Sequence, residues 1–373
     1  MVQNIILIDH EPFTIRRKEL FYINEIIASG FNVEVWNVTQ WFYPQMTIVD
    51  TINEKYVKKI VSKNVFISNL ETCNINESVF IVESFWNWHT RELFRALSDY
   101  NCLTIKMDMY ANSTLIEPIN RKIRKLFSHL MIGIVKRQVG RFLLFIYNKR
   151  FKIKDYKYYF SSSSIVNRTH AINHPDYEKY RFSKKTAIIS GRYAVFCDIY
   201  FPNHPDIKNF NRYTKEIDEN VYQRKLRFFF DYFENKYGMS VVIAAHPKAN
   251  YRGNEFGNRR IIKYQTDNLV QYASCVLMHQ CNTISYAILN KKPIILFTTD
   301  EYEAIPECKE MLENIADFLK LKTYNIDKVK FLSIQGRVVD DIVAEEYIYT
   351  YLTSNETQDK KNIETIISFI SKL

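Results

Sequence analysis

Short apolar runs alternate with amphipathic stretches along most of the chain, and this rhythm is the strongest constraint on its fold. "NIILI" (4–8) reads as a buried strand. A helical pattern through Leu20, Ile23, Ile26 and Ile27 follows and stops at Ser29-Gly30. "VEVWNV" (33–38), "VFIS" (65–68) and "VFIVESF" (79–85) read as further strands. A helix over about Thr90 to Ser98 leads to "LTIKMDMY" (103–110), and "DYKYYFSSSS" (155–164) closes the first half with a strand and a polar loop. Continuous apolar strands separated by helices belong to parallel sheets covered on both faces.

The rhythm then restarts. "AIIS" (187–190) and "YAVFCDIYF" (193–201) predict one or two strands, and "YQRKLRFFFDYFENKYG" (222–238) a helix stopped by Gly238. "VVIAA", "RRIIKY", "CVLM" and "KPIILF" predict strands. "TDNLVQYA" (266–273) predicts a helix capped by its threonine, "NTISYAILN" another, and 357–371 a terminal helix. The expected fold class is therefore α/β: two Rossmann-like domains facing across a cleft, over 1–175 and 176–373, with the terminal helix in the second. A length of 373 residues suits two such domains.

Charge is unevenly distributed. The net charge is +10, but residues 118–154 hold 11 Lys and Arg and no Asp or Glu. Without those 11, the rest carries 40 basic against 41 acidic residues. A nucleic-acid binder would spread positive charge over a recognisable binding motif, and none is present. Within the segment, Ile123, Leu126, Phe127, Leu130, Met131, Ile134 and Val135 follow helical spacing. That suits an amphipathic helix on an anionic membrane surface, or equally an ordinary helix pair with a basic solvated face. The six cysteines have no CxxC spacing and read as small buried hydrophobes in a reducing cytoplasm. No basic leader and no long uncharged apolar stretch is visible, so the expected location is cytoplasmic, peripheral on the inner membrane face.

Ligands of open α/β sheets bind beyond the carboxyl ends of the strands, so the residues following each apolar run carry the chemistry. In the first half these are Asp9, His10, Glu11, Glu83 and Asp108. In the second they are Asp198, His246, Lys248, His279, Asn282, Thr283 and Ser285. Pro247 biases His246 toward extended geometry, which aims an imidazole at the ligand edge beside the Lys248 ammonium. The pair suits a phosphate. Asn282, Thr283 and Ser285 stand at a helix mouth, where hydroxyls and unpaired N–H groups attract anions or cap the helix. Arg259 could reach the same anion or face solvent.

The order strand, "HPK", "TDNLVQYA", strand, "HQCNTISYAILNKKPI" resembles the second domain of bacterial surface-carbohydrate glycosyltransferases of the GT-B architecture, including capsule, lipopolysaccharide and sialyltransferase-like enzymes. "YAVFCDIYFPNHPDI" (193–207) is similar to the strand and loop opening that domain in capsule-synthesis proteins. The likeness covers about 155–300; the first half shares only the alternation. Asn282-Thr283 with Ser285 replaces the family's paired serines. The resemblance implies that His246 and the 282/283/285 group hold the donor phosphate, with no metal and no cofactor beyond a nucleotide-sugar substrate, CMP-linked sugars included. His246 could protonate the departing phosphate. Asp198 is the first candidate for general base, then Asp9, His10 and Glu11; Glu11 and Glu83 are candidate acceptor ligands. The implied partners are a nucleotide-sugar donor, a glycan acceptor expected to be lipid-linked, and an anionic membrane through 118–154. The rivals are a CDP-polyol phosphotransferase, a nucleotide-sugar epimerase, and a non-catalytic glycan-binding or membrane scaffold protein.

Overall fold

The computed structural model describes residues 2–45, 51–110, 112, 131–204 and 216–373, the side chains of 131–137 excepted. The chain forms two compact units, each built on one parallel sheet. The first unit comprises Met1–Ala111, Glu117–Pro175 and Thr353–Leu373; the second comprises Asn112–Ile116 and Asp176–Leu352.

The first sheet has seven strands in the order β3-β2-β1-β4-β5-β6-β7. They are β1 Asn4–Asp9, β2 Asn32–Asn37, β3 Val57–Lys59, β4 Ser78–Val82, β5 Leu103–Asp108, β6 Tyr158–Ser161 and β7 His170–Ala171. The second has six, ordered β10-β9-β8-β11-β12-β13. They are β8 Tyr193–Cys197, β9 Ser240–Ala245, β10 Ile261–Lys263, β11 Cys275–Met278, β12 Ile294–Thr298 and β13 Thr323–Asn325. Both are Rossmann-like orders that reverse beside their first strand, between β1 and β4 and between β8 and β11. In the first unit one apolar cluster contains Ile5, Leu7, Ile81 and Met107, and another contains Ile6, Ile8, Phe80 and Val82. The alternation along β1 and β4 puts these on opposite faces of the sheet.

Several expected elements differ. Val65–Ser68 lies inside the helix Lys63–Thr72, where Ser62 accepts from Val65 N at 3.4 Å and Phe66 and Leu70 are buried one turn apart. A four-residue apolar run fits either period, and the serine cap decides for the helix. Ala187–Ser190 joins neither sheet. The helix Thr266–Tyr272 begins at its threonine, with Gln265 in the cap position and no side-chain cap bond. Helix Glu219–Tyr237 does end at Gly238, whose φ of 59° is the left-handed cap conformation. The terminal helix Asn362–Ile370 belongs to the first unit rather than the second: Ile366 and Ile370 join the cluster of Ile81 and Met107. Of the basic segment, Arg121, Lys122, Arg124 and Lys125 lie outside the described residues, and Met131–Phe151 is helical. All six cysteines are free thiols, and no described helix is long and apolar enough to cross a membrane.

Candidate functional site

Sheet register places the second unit's candidates on one edge. Cys197, the last residue of β8, pairs with Ala244 of β9 and Met278 of β11. Asp198, His246 and His279 therefore follow three adjacent strand ends, at the point where the strand order reverses.

Asp198 is 3% exposed, and burial raises its carboxyl to about 6 against the pull of its hydrogen-bond donors. Its Oδ1 accepts from Tyr200 N at 2.9 Å. Its Oδ2 accepts from the Tyr251 hydroxyl at 2.7 Å and from His246 N at 3.3 Å. Asp198, the expected general base, thus fastens the loops after β8 and β9.

His246 is half-buried beyond the end of β9. Its Nδ1 accepts the backbone N–H of Lys248 at 3.1 Å, so a neutral ring carries its proton on Nε2. His204 packs against it edge-on, with ring centroids 4.6 Å apart. The HPK turn thus fixes both the direction and the tautomer of an N–H donor, with the Lys248 ammonium two residues away.

Three expected phosphate ligands are committed elsewhere. His279 is fully buried: its Nδ1 lies 2.7 Å from the Phe297 carbonyl, its Nε2 2.7 Å from the Tyr222 hydroxyl, and its ring stacks on Tyr302. Burial lowers it to about 4. It is a neutral core histidine donating from Nδ1 and accepting at Nε2. Arg259 turns to the helix Glu219–Tyr237, donating to Asp231 and Glu234 at 2.6 Å each and lying over the Phe230 ring. Its guanidinium meets those carboxylates rather than a strand end. Ser285 is also fully buried; its hydroxyl donates to the Asn282 carbonyl and accepts from Asn112 Nδ2, each at 2.9 Å. Thr283 and Asn282 are half-buried at the start of helix Ile284–Leu289, with Thr283 Oγ1 3.0 Å from Cys281 Sγ. Of the expected donor-phosphate set, His246, Lys248, Asn282 and Thr283 remain partly exposed on this edge.

The first unit has a comparable edge. Ile8 pairs with Val82, and Glu83 N donates to Ile8 O, so Asp9, which ends β1, lies on one edge with His10 and Glu83, which follow β1 and β4. Asp9 is fully buried and accepts from Arg17 Nε at 2.7 Å and Glu11 N at 2.9 Å. Expected as a catalytic base, it is the counter-ion of the half-buried Arg17 guanidinium. Glu11 stays partly exposed, 3.7 Å from Arg17. Glu83, an expected acceptor ligand, is enclosed beside Lys106 at 3.5 Å and accepts from Met107 N at 3.3 Å; burial raises its pKa. His10 is different. Its Nδ1 is buried without a hydrogen-bond partner, 4.0 Å from Asp9 Oδ1, and its ring packs against Phe85 at 5.0 Å. Burial lowers its pKa against the opposing charges of Asp9 and Glu11, which keeps the ring neutral at pH 7.

Sequence reasoning missed Tyr251, Tyr222, Arg17 and Lys106, the partners of the buried polar groups. A carboxylate closing an apolar strand signals that a donor must exist, without saying where it lies in the chain. Among the described residues, no group of three or more His, Cys, Asp and Glu could hold a metal ion.

No protein-family model matches the chain, and no curated protein matches it. Among solved structures it is similar to the glycotransferase of kitacinnamycin, at 10% identity and TM-score 0.48 over 100% of this chain and 99% of that one. It is also similar to UDP-GlcNAc 2-epimerase from Methanocaldococcus jannaschii, at 12%, 0.47 and 100% of both chains. The wall teichoic acid polymerase TagF gives 10% and 0.46, over 99% of this chain and 89% of that one. Likenesses of this degree assign neither a reaction nor a residue.

Proposed function

We propose that the protein is a glycosyltransferase that moves a sugar from a nucleotide-sugar donor to a bacterial surface glycan carried on lipid. The observation carrying this reading is the His246 ring at the ligand edge of the second sheet, its Nδ1 taken by Lys248 N and its proton thereby fixed on Nε2. In the proposed reaction the acceptor hydroxyl oxygen bonds to the anomeric carbon as the bond from that carbon to the nucleotide phosphate breaks. Negative charge grows on the leaving oxygen, where a preorganised N–H and a nearby ammonium stabilise the transition state more than the ground state. Lys248 and His246 supply these groups without a metal. The hydroxyl proton goes to a general base.

Titration calorimetry with CMP, CDP, UDP and GDP tests the donor half. One nucleotide should bind, and His246→Ala should weaken it at least about tenfold, the scale of one charge-assisted hydrogen bond. Release of that nucleotide from its sugar conjugate on adding a glycan acceptor, undiminished by a chelator, tests the reaction. Failure of all four nucleotides to bind would overturn the assignment.

A further inference from the structure

The helix Met131–Phe151 is fastened along one side to the helix Arg91–Asp99: Tyr147 donates to Glu92 at 2.7 Å, and the Arg95 guanidinium lies 3.9 Å from the Phe151 ring centroid. Tyr147 and Phe151 are one turn apart and share that side. Adjoining it, Val139, Phe142, Leu143 and Ile146 recur at helical spacing and are 51%, 62%, 43% and 46% exposed. Single exposed apolar residues are ordinary; four in one stripe on a helix already anchored along another side are not. The solvated surface of this helix thus carries an apolar stripe among its basic residues.

The charge around the stripe selects its occupant. Arg141, Lys149 and Arg150 lie along the same helix, and no acidic residue occurs between Pro118 and Lys154. A second copy of the chain would bring these cations against their own kind. A bilayer with anionic headgroups offers hydrocarbon to the stripe and phosphate to the cations. We propose that the Val139–Ile146 stripe lies in the interface of an anionic phospholipid bilayer and holds the protein at that surface. The proposal is independent of the reaction assigned above.

Flotation with phosphatidylcholine vesicles, with and without an equal part of phosphatidylglycerol, tests it. The protein should float only with the anionic vesicles, and less as salt is raised. Phe142→Glu/Ile146→Glu should lower the partition coefficient at least about tenfold. Arg141→Gln/Lys149→Gln/Arg150→Gln, which leaves the stripe intact, should do the same, since each cation near such a surface is worth about fivefold. Nucleotide binding should be unchanged in both variants, so loss of flotation with retained nucleotide binding separates this surface from the reaction. Absence of flotation by the wild type, or flotation unaffected by both variants, would overturn the proposal. So would a dimer in sedimentation velocity that Phe142→Glu/Ile146→Glu dissolves.

Discussion

The Tyr251 hydroxyl donates to Asp198 Oδ2 at 2.7 Å, and the same oxygen accepts the backbone N–H of His246 at 3.3 Å. One carboxylate therefore holds the loop that presents the imidazole. Its enclosure has a measurable signature.

Burial raises Asp198 from 3.8 to about 6. Between those values the folded chain binds the proton more tightly than the unfolded chain does. Stability contributed by this group thus falls as pH rises from about 4 to about 6, by up to about 3 kcal/mol. Asp198→Asn cannot titrate and should lack this slope. Urea unfolding of both proteins across that window should show the wild type losing ground to the variant as pH rises. A pH-independent difference would refute the enclosure.

The strand ends were legible because a strand buried on both faces of a parallel sheet is an unbroken apolar run, so Ala245 and Met278 announce their own termini. Which way the next side chain turns is decided by distant partners. His279 faces inward because Tyr222 and Phe297, 57 and 18 residues away in sequence, supply a hydroxyl and a carbonyl. His246 remains at the edge because its ring bonds locally, to Lys248 N two residues on. The His-Pro spacing therefore tells which histidine stays at the edge, whereas a histidine after a strand does not by itself distinguish edge from core. Arg259 reads as a phosphate ligand for the same reason: its carboxylates sit on a helix 25 and 28 residues earlier. The apolar run Val65–Ser68 was illegible for a different cause, since four residues span about one helical turn and sample neither period.

A core role for His279 predicts a stability phenotype without a binding phenotype. Its pKa falls from 6.5 to about 4, so below pH 6.5 the unfolded chain takes up a proton that the folded chain refuses. Stability from this residue should be full above pH 6.5 and lost as pH falls toward 4, by up to about 3 kcal/mol. His279→Ala should destabilise by about 3 kcal/mol at neutral pH, through the cavity and the unpaired Tyr222 hydroxyl and Phe297 carbonyl. Its affinity for nucleotide, measured well below the unfolding temperature, should stay within about twofold of wild type. A tenfold loss of affinity in a folded variant would return His279 to the phosphate site.

Arg17, half-buried, and Asp9, fully enclosed, form an ion pair beneath the first unit's edge at 2.7 Å. Removing the cation alone strands a carboxylate away from water, so Arg17→Met should cost about 3–5 kcal/mol. Asp9→Asn retains an oxygen for the Glu11 N–H at 2.9 Å and removes the charge. The double variant should therefore be more stable than Arg17→Met alone, with a coupling of about 2 kcal/mol or more in the cycle. Simple additivity would mean that Asp9 does not depend on Arg17, and the basis for treating Asp9 as a held counter-ion beside His10 would be lost.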